Sequence, residues 1–184
     1  MNWKTISSAY LFQHPPYFIA RKDVCERPDG VMIPAYYVVE LPPSVITFGI
    51  TEDGFVLFTA QYRHPIGEVS LELPGGFLEK EEEPLPAAHR ETEEETGYQF
   101  SNYEYLGKVA GNPGILNNVT HLFLATGGKK VTEQQMDEQE DIAVKLFSIN
   151  EVVQLIQERK IIQSLHLNAC FYALLHLKQL SFLK

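Results

Sequence analysis

Two cysteines in 184 residues, Cys25 and Cys170, are too few and too far apart for a disulfide framework or a zinc cluster. Their neighbours Val24, Ala169 and Phe171 are apolar, so both read as reduced core thiols. Nothing approaches the ~20 consecutive apolar residues of a membrane span, and Met1-Asn-Trp-Lys-Thr lacks the basic start and apolar run of a secretory leader. A soluble cytoplasmic protein with no membrane partner is expected. Basic residues are also scarce: 15 Lys and Arg stand against 24 Asp and Glu, a net charge of −9. That balance repels phosphate backbones, and no nucleic-acid partner is expected. There is no internal repeat and no low-complexity linker.

What is present is ordinary globular material, 45% hydrophobic and 21% charged. A chain of this length buries roughly 70% of its unfolded surface and needs no metal merely to fold, so any metal would serve function. The residues Tyr17 to Glu26 and Val31 to Glu40 are β-rich and joined by Arg27-Pro28-Asp29-Gly30, which predicts a hairpin. Pro42-Pro43 breaks the sheet and sets the boundary expected between an N-terminal region, 1–43, and a main domain, 44–184. Beyond it, Val45 to Ile50 and Phe55 to Tyr62 predict a second hairpin about Glu52-Asp-Gly. A helix is expected between Pro84 and Gly97, with prolines tolerated in its first turn and the glycine closing its end. Strands follow at Tyr103 to Ala110, Val119 to Thr126 and Ile142 to Ser148, with turns at Gly111-Asn-Pro-Gly and Gly127-Gly128. Ser148 and Glu151 have capping-box spacing before a helix from about Asn150 to Arg159. A last helix, Ser164 to about Leu180, is apolar on many sides and should be buried all round. Hairpins first, then irregularly alternating strands and helices, indicate an α+β fold or a mixed sheet covered by helices rather than a doubly wound parallel sheet.

Charge is concentrated where chemistry should be sought: residues 79–95 carry eight Glu against Lys80 and Arg90, −6 of the net −9. On a wheel of about 100° per residue, with Glu91 at zero, Glu95 falls near 40°, Glu94 near −60° and Glu93 near 200°. Three carboxylates share a face and Glu93 points away. At ~6 Å and an effective dielectric of ~20, each like-charge pair costs about 3 kcal/mol before screening. Arg90 can reach Glu94 at i,i+4 but cannot neutralise three carboxylates. A hard divalent cation can. Ala87 and Ala88 flank the acidic face and leave room for a loop, which Leu73-Pro-Gly-Gly supplies with a backbone able to turn a carbonyl toward an ion.

Gly76, five residues, Glu82, seven residues, then Arg90-Glu91-Thr92-Glu93-Glu94-Glu95-Thr96-Gly97-Tyr98 resembles the Nudix box. Thr92, on the packing flank, stands where that family usually has an aliphatic residue, and the change removes no ligand. The resemblance implies a Nudix-type α/β/α sandwich with a mixed sheet, here preceded by a small N-terminal antiparallel β-sheet. It also implies Mg²⁺, or Mn²⁺ in its place, held by Glu91, Glu94, Glu95 and the Gly75 carbonyl, with Arg90 orienting the carboxylates and Glu82 supporting.

Over nearly its whole length the chain is similar to the ADP-ribose pyrophosphatase branch. The resembling features are Ser8 with Arg21, Asp23 and Pro28-Asp29-Gly30, Gln61-Tyr62-Arg63 at a strand end, Leu71-Glu-Leu-Pro-Gly-Gly, and Pro113 fifteen residues after Tyr98. They imply substrate contacts from Arg63, Glu72 and Pro113. Arg63 has the bidentate fork that suits a pyrophosphate, although a surface cation ending a strand is the plainer reading. Glu72 either positions a sugar or balances Arg63, and Pro113 is by itself only a turn former. The stretch from Glu138 to Val144 resembles the acidic loop from which this branch supplies a further carboxylate, with Glu140 first and Glu138 second. The six histidines lack ligand spacing and read as core or surface residues.

The implied reaction is metal-dependent cleavage of a nucleoside diphosphate sugar, ADP-ribose to AMP and ribose 5-phosphate, with Glu91, Glu94, Glu95 and Arg90 at the metal and Glu140 as base or ligand. Two alternatives remain: another nucleotide sugar such as GDP-mannose, or a module that binds without turnover. Tyr17, Phe18, Tyr36 and Tyr37 would suit any base and fit equally as sheet core. A small N-terminal sheet cannot bury both faces alone, and relatives of the branch exchange it, so a homodimer is expected.

Overall fold

The computed structural model describes residues 2–136 and 141–180, and the chain divides into two compact units. The first comprises residues 1–43 and 110–119. Its core is a three-stranded antiparallel sheet in the order β1-β2-β3, made of β1 (Lys4–His14), β2 (Phe18–Glu26) and β3 (Met32–Glu40). The expected hairpin is β2–β3, turning at Gly30 in the left-handed region at φ 82° with its N–H donating to Arg27 O at 2.9 Å. Strand β1 was not expected from its mixed Ser, Ala and Gln content; pairing with β2 from Lys4–Glu26 to His14–Phe18 recruits it. The segment 110–119 is tied to this unit by backbone and Asn bonds: Val39 N–H to Ile115 O at 2.8 Å, Leu41 N–H to Asn117 Oδ1 at 3.1 Å and Asn118 Nδ2 to Pro42 O at 3.0 Å.

The second unit, residues 44–109 and 120–180 of those described, carries a seven-stranded mixed sheet. Its elements are β4 (Ser44–Thr51), β5 (Val56–Arg63), β6 (Glu68–Glu72), α1 (Pro84–Thr96), β7 (Tyr98–Gln99), β8 (Asn102–Val109), β9 (Thr120–Lys130), β10 (Ile142–Phe147), α2 (Ile149–Gln157) and α3 (Ser164–His176). The main path runs β10-β5-β4-β9-β7, with β6 on β5 and β8 on β9; β4 and β9 are parallel and the other pairs antiparallel.

Period-two alternation sorts the central strands between two layers. Ile46 and Phe48 of β4, Val56 and Phe58 of β5, and Leu122 and Leu124 of β9 pack with Val152 of α2 and Ala169, Cys170, Ala173 and Leu174 of α3. Val45 and Phe123 face the other way, onto Ala87 and Ala88 of α1. The sheet thus lies between α1 on one face and α2 with α3 on the other, the helix–sheet–helix sandwich expected. Burial raises the Cys170 thiol to about 12 and keeps it protonated.

Four local features differ from the sequence reading. Gly127-Gly128 is not a turn: β9 runs on to Lys130 through a register shift opposite Ile50 and Thr51, with Gly127 at φ 71°. A Cβ on Gly128 would lie 2.4 Å from the Phe100 ring, so glycine here serves a bulge and close ring packing. Strand β6 lies in a stretch for which no element was expected. Helix α3 ends at His176 and is not buried all round: His166, Ala169, Cys170, Ala173 and Leu174 form one inward stripe, while Tyr172 and Leu175 are exposed. Ala87 and Ala88 admit the sheet itself, through Val45 and Phe123, rather than the glycine loop. The capping box of α2 forms as expected, with Glu151 N–H donating to Ser148 Oγ at 3.3 Å and Ser148 N–H to Glu151 Oε2 at 2.7 Å. Among the described residues, no helix is long and apolar enough to cross a membrane.

Candidate functional site

Helix α1 starts on Pro84, whose missing N–H costs nothing in a first turn, and stops at Gly97 in the left-handed region at φ 76°, its N–H donating to Glu93 O at 2.7 Å. Thr92 and Thr96 turn their hydroxyls back onto the helix backbone, Thr92 Oγ1 donating to Ala88 O at 2.6 Å and Thr96 Oγ1 to Thr92 O at 2.5 Å. Thr92 is therefore buried without an unpaired polar atom, in the place of an aliphatic residue. This holds the outer face, with its carboxylates, against the loop that follows β6.

The loop Leu73-Pro-Gly-Gly is stitched to β4: Val45 N–H donates to Gly76 O and Thr47 N–H to Pro74 O, both at 2.9 Å. The chain passes so close that a Cβ on Gly75 would lie 2.1 Å from Val45 O. Gly75 N–H in turn donates to Glu95 Oε2 at 2.9 Å, and the Glu91 carboxylate fills the space where a Gly76 Cβ would stand, 2.4 Å from its Oε2. The two glycines thus let the loop backbone touch two of the three carboxylates.

Arg90 organises the acids. Its Nε and Nη2 fork onto Glu82 at 3.0 and 2.8 Å, while Nη1 donates to Glu91 Oε1 at 2.9 Å and to Glu94 Oε2 at 3.1 Å. Nη2 also donates to Phe77 O at 3.1 Å. The i,i+4 bond to Glu94 was expected; the reach to Glu82 and Glu91 as well makes Arg90 the hub of the cluster. Hydrogen bonding from Arg90 holds the Glu82 carboxyl below its usual range, and the Glu82 bond with the neighbouring carboxylates raises the Arg90 guanidinium. Glu93 stands apart, accepting from Gln99 Nε2 at 2.9 Å, as the helical wheel requires.

Three carboxylates on one guanidinium, with a fourth, Glu95, on the same helix face, leave the cluster strongly negative, and the side-chain donors there are oxygens, the chemistry of a hard divalent cation. Among the described residues no three acidic, imidazole or thiol side chains already close on one point. Glu91 and Glu94 instead share Arg90, and Glu95 caps the Gly75 amide. The donor set and the glycine cradle fit Mg²⁺ or Mn²⁺, whose charge would add to that of Arg90 in offsetting the carboxylates.

A second polar cluster lies on the β5–β6 hairpin, between Arg63 at the end of β5 and Glu72 at the end of β6. Arg63 donates from Nε to Glu72 Oε1 at 3.0 Å and from Nη2 to Glu72 Oε2 at 2.6 Å, while 42% of its side chain stays exposed. Glu72 is buried to 2%, so of the two roles open to it, balancing Arg63 is the one the structure displays. Burial raises its carboxyl pKa, but the hydrogen bonds from His166 and Arg63 more than offset that and hold it well below the usual range. His166, which the sequence places only as a core or surface residue, is a partner the sequence does not announce. It is buried at 5% and lies in α3, 93 residues from its backbone donor Leu73, and no local pattern announces such a pairing. Pro113 belongs to the segment 110–119 of the first unit, whose Gly114 O accepts from Tyr36 at 3.2 Å. Glu138 and Glu140 lie outside the described residues.

A family model described as NUDIX domain matches residues 40–166, and one described as Nucleoside diphosphate sugar hydrolase N-terminal domain matches residues 3–39. The methanol dehydrogenase activator of Bacillus methanolicus is 34% identical over 162 residues, 88% of this chain and 86% of that one. The ADP-ribose pyrophosphatase of Bacillus subtilis is 30% identical over 159 residues, 86% of this chain and 85% of that one. A crystal structure of an ADP compounds hydrolase superposes with a TM-score of 0.83 at 17% identity, covering 97% of this chain and 96% of that one.

Proposed function

The chain belongs to the Nudix family of hydrolases, and on that premise we propose that it cleaves the pyrophosphate bond of a nucleoside diphosphate sugar, ADP-ribose first, giving AMP and ribose 5-phosphate. The observation that carries the proposal is one acidic helix face on which Glu91 and Glu94 share Arg90 while Glu91 and Glu95 meet the Gly75-Gly76 backbone. The N-terminal family match and the pyrophosphatase relatives support a nucleotide-sugar substrate.

Glu91, Glu94 and Glu95, with the Gly75 carbonyl, would hold Mg²⁺ or Mn²⁺. Such an ion, when bound, neutralises diphosphate charge and lowers the pKa of a bound water. Arg90 keeps the carboxylates in place from the side of Glu82, which frees none of them to swing toward solvent. Arg63 would offer its exposed face to the diphosphate, with Glu72 beneath holding the fork flat. Water would attack one phosphorus as the bridging oxygen leaves on the other phosphate, and Glu140 would take the water proton or bind metal.

The experiment is turnover of ADP-ribose, GDP-mannose and a panel of other nucleotide sugars, with products identified, in Mg²⁺, in Mn²⁺ and after chelation with EDTA. AMP and ribose 5-phosphate are expected, abolished by EDTA and restored by metal. Full activity in chelator would refute the metal reading, and binding without products would establish a sensor. The exposed apolar side chains of the N-terminal sheet, Tyr10, Leu11, Phe12, Tyr17 and Phe18, support a homodimer. Light scattering should give twice the 20.9 kDa chain mass at micromolar concentration, and an active monomer would contradict it.

A further inference from the structure

Glu72 is held from two sides. Arg63 approaches one edge of its carboxylate with a two-pronged fork at 3.0 and 2.6 Å. From α3, His166 Nε2 lies 3.2 Å from Glu72 Oε2. The other ring nitrogen of His166, Nδ1, accepts the Leu73 N–H at 3.0 Å, so its lone pair is committed and the ring proton sits on Nε2, from which it donates to Glu72. His166 and Glu72 are 5% and 2% exposed, so water does not compete for these bonds.

We infer that His166 is a positioning residue for substrate binding: its Nε2 proton fixes the rotation of the Glu72 carboxylate, and through it the fork of Arg63. The inference rests on the substrate role assigned above to Arg63. The terminal torsion of a glutamate is soft, so a carboxylate held only by a half-exposed arginine samples many rotations. A second donor from the interior leaves the carboxylate one orientation in which both oxygens face the fork. The guanidinium then meets a diphosphate already oriented, and its side-chain entropy is not lost again on binding. Because Leu73 precedes Pro74 and Gly75, the same ring also pins the start of the glycine loop through Nδ1. The two functions use different ring atoms and can be separated.

Asparagine places its amide near the Nδ1 position and can keep the Leu73 bond while losing the donor to Glu72. Glutamine reaches the Nε2 position and can keep the Glu72 donor while losing Leu73. KM and kcat for ADP-ribose would be measured for His166→Asn, His166→Gln, Arg63→Ala and the double variant Arg63→Ala/His166→Asn, with thermal melting of each. KM for His166→Asn should rise about tenfold, the effect of losing one buried charge-assisted hydrogen bond, with kcat within about threefold of wild type. His166→Gln should restore KM to within about threefold. In the Arg63→Ala background, His166→Asn should raise KM no further, because the group it positions is gone. A smaller folded fraction lowers kcat without altering KM, so instability of a variant does not mimic this pattern. A KM unchanged in His166→Asn while Arg63→Ala raises it, equal KM rises in the Asn and Gln variants, or a full tenfold rise added to Arg63→Ala would overturn the inference alone. A KM unchanged in Arg63→Ala would refute the substrate role of Arg63 and the inference with it.

Discussion

Adjacent glycines in the site loop should respond to the same substitution in opposite ways. A methyl group on Gly75 would meet Val45 O at 2.1 Å and Ile46 Cα at 2.9 Å, both backbone of a central strand that cannot withdraw without dragging the sheet. A methyl group on Gly76 would first meet the Glu91 carboxylate, at 2.4 to 2.6 Å, the far end of a side chain that can swing aside. Overpacking against backbone costs about 1 to 3 kcal/mol, which for a chain of this size lowers the melting temperature by roughly 2 to 12 °C. Gly76→Ala should melt within about 2 °C of wild type, since the added methyl also restricts the unfolded chain. Its cost appears in chemistry instead: a Glu91 carboxylate pushed out of place should lower kcat by about 10 to 100-fold, the scale seen when groups that orient metal ligands are disturbed. Thermal melting and steady-state hydrolysis of ADP-ribose on both variants decide the matter. Gly76→Ala with wild-type kcat, or with a melting loss equal to that of Gly75→Ala, would refute the reasoning.

Glu94→Gln and Glu95→Gln should each lower kcat by about a hundredfold or more with the fold intact, whereas Glu93→Gln should be nearly silent; equal losses at Glu93 and Glu95 would mean the acidic face is misassigned. Glu140→Gln should cut kcat strongly while calorimetric affinity for a nonhydrolysable analogue changes little, and a loss that recovers at high Mg²⁺ would make Glu140 a metal ligand instead. Near-normal kcat in Glu140→Gln with a loss in Glu138→Gln would transfer the role to Glu138. Acid should reveal Glu72: its folded carboxyl lies below its unfolded value of 4.5, so its stabilisation is complete above that pH and is lost as pH falls toward the folded value. Denaturant unfolding of wild type and Glu72→Gln should therefore differ at pH 7 and converge below pH 4.5, and an undiminished difference at pH 3 would contradict the assignment.

Features that depend on neighbours along the chain are legible in the amino-acid order. The i,i+3 and i,i+4 spacing of Glu91, Glu94 and Glu95 set one acidic helix face, and turned Glu93 to Gln99. Gly97 closed α1, Ser148 and Glu151 capped α2, and Arg27 to Gly30 made the β2–β3 turn. Such features need only local torsions and hydrogen bonds within a few residues, and these survive in any fold that contains them. Other features arise only when distant segments pack together. Gly127-Gly128 has the composition of a turn, yet parallel pairing with β4 carries β9 through it as a bulge, because closing the ladder outweighs local preference. The apolar residues of α3 exceed what one sheet face can cover, so which of them face inward depended on where the helix docked. The cluster of Arg63, Glu72 and His166 joins a hairpin to a helix far along the chain, and a buried carboxylate gains its partners only when packing brings them together.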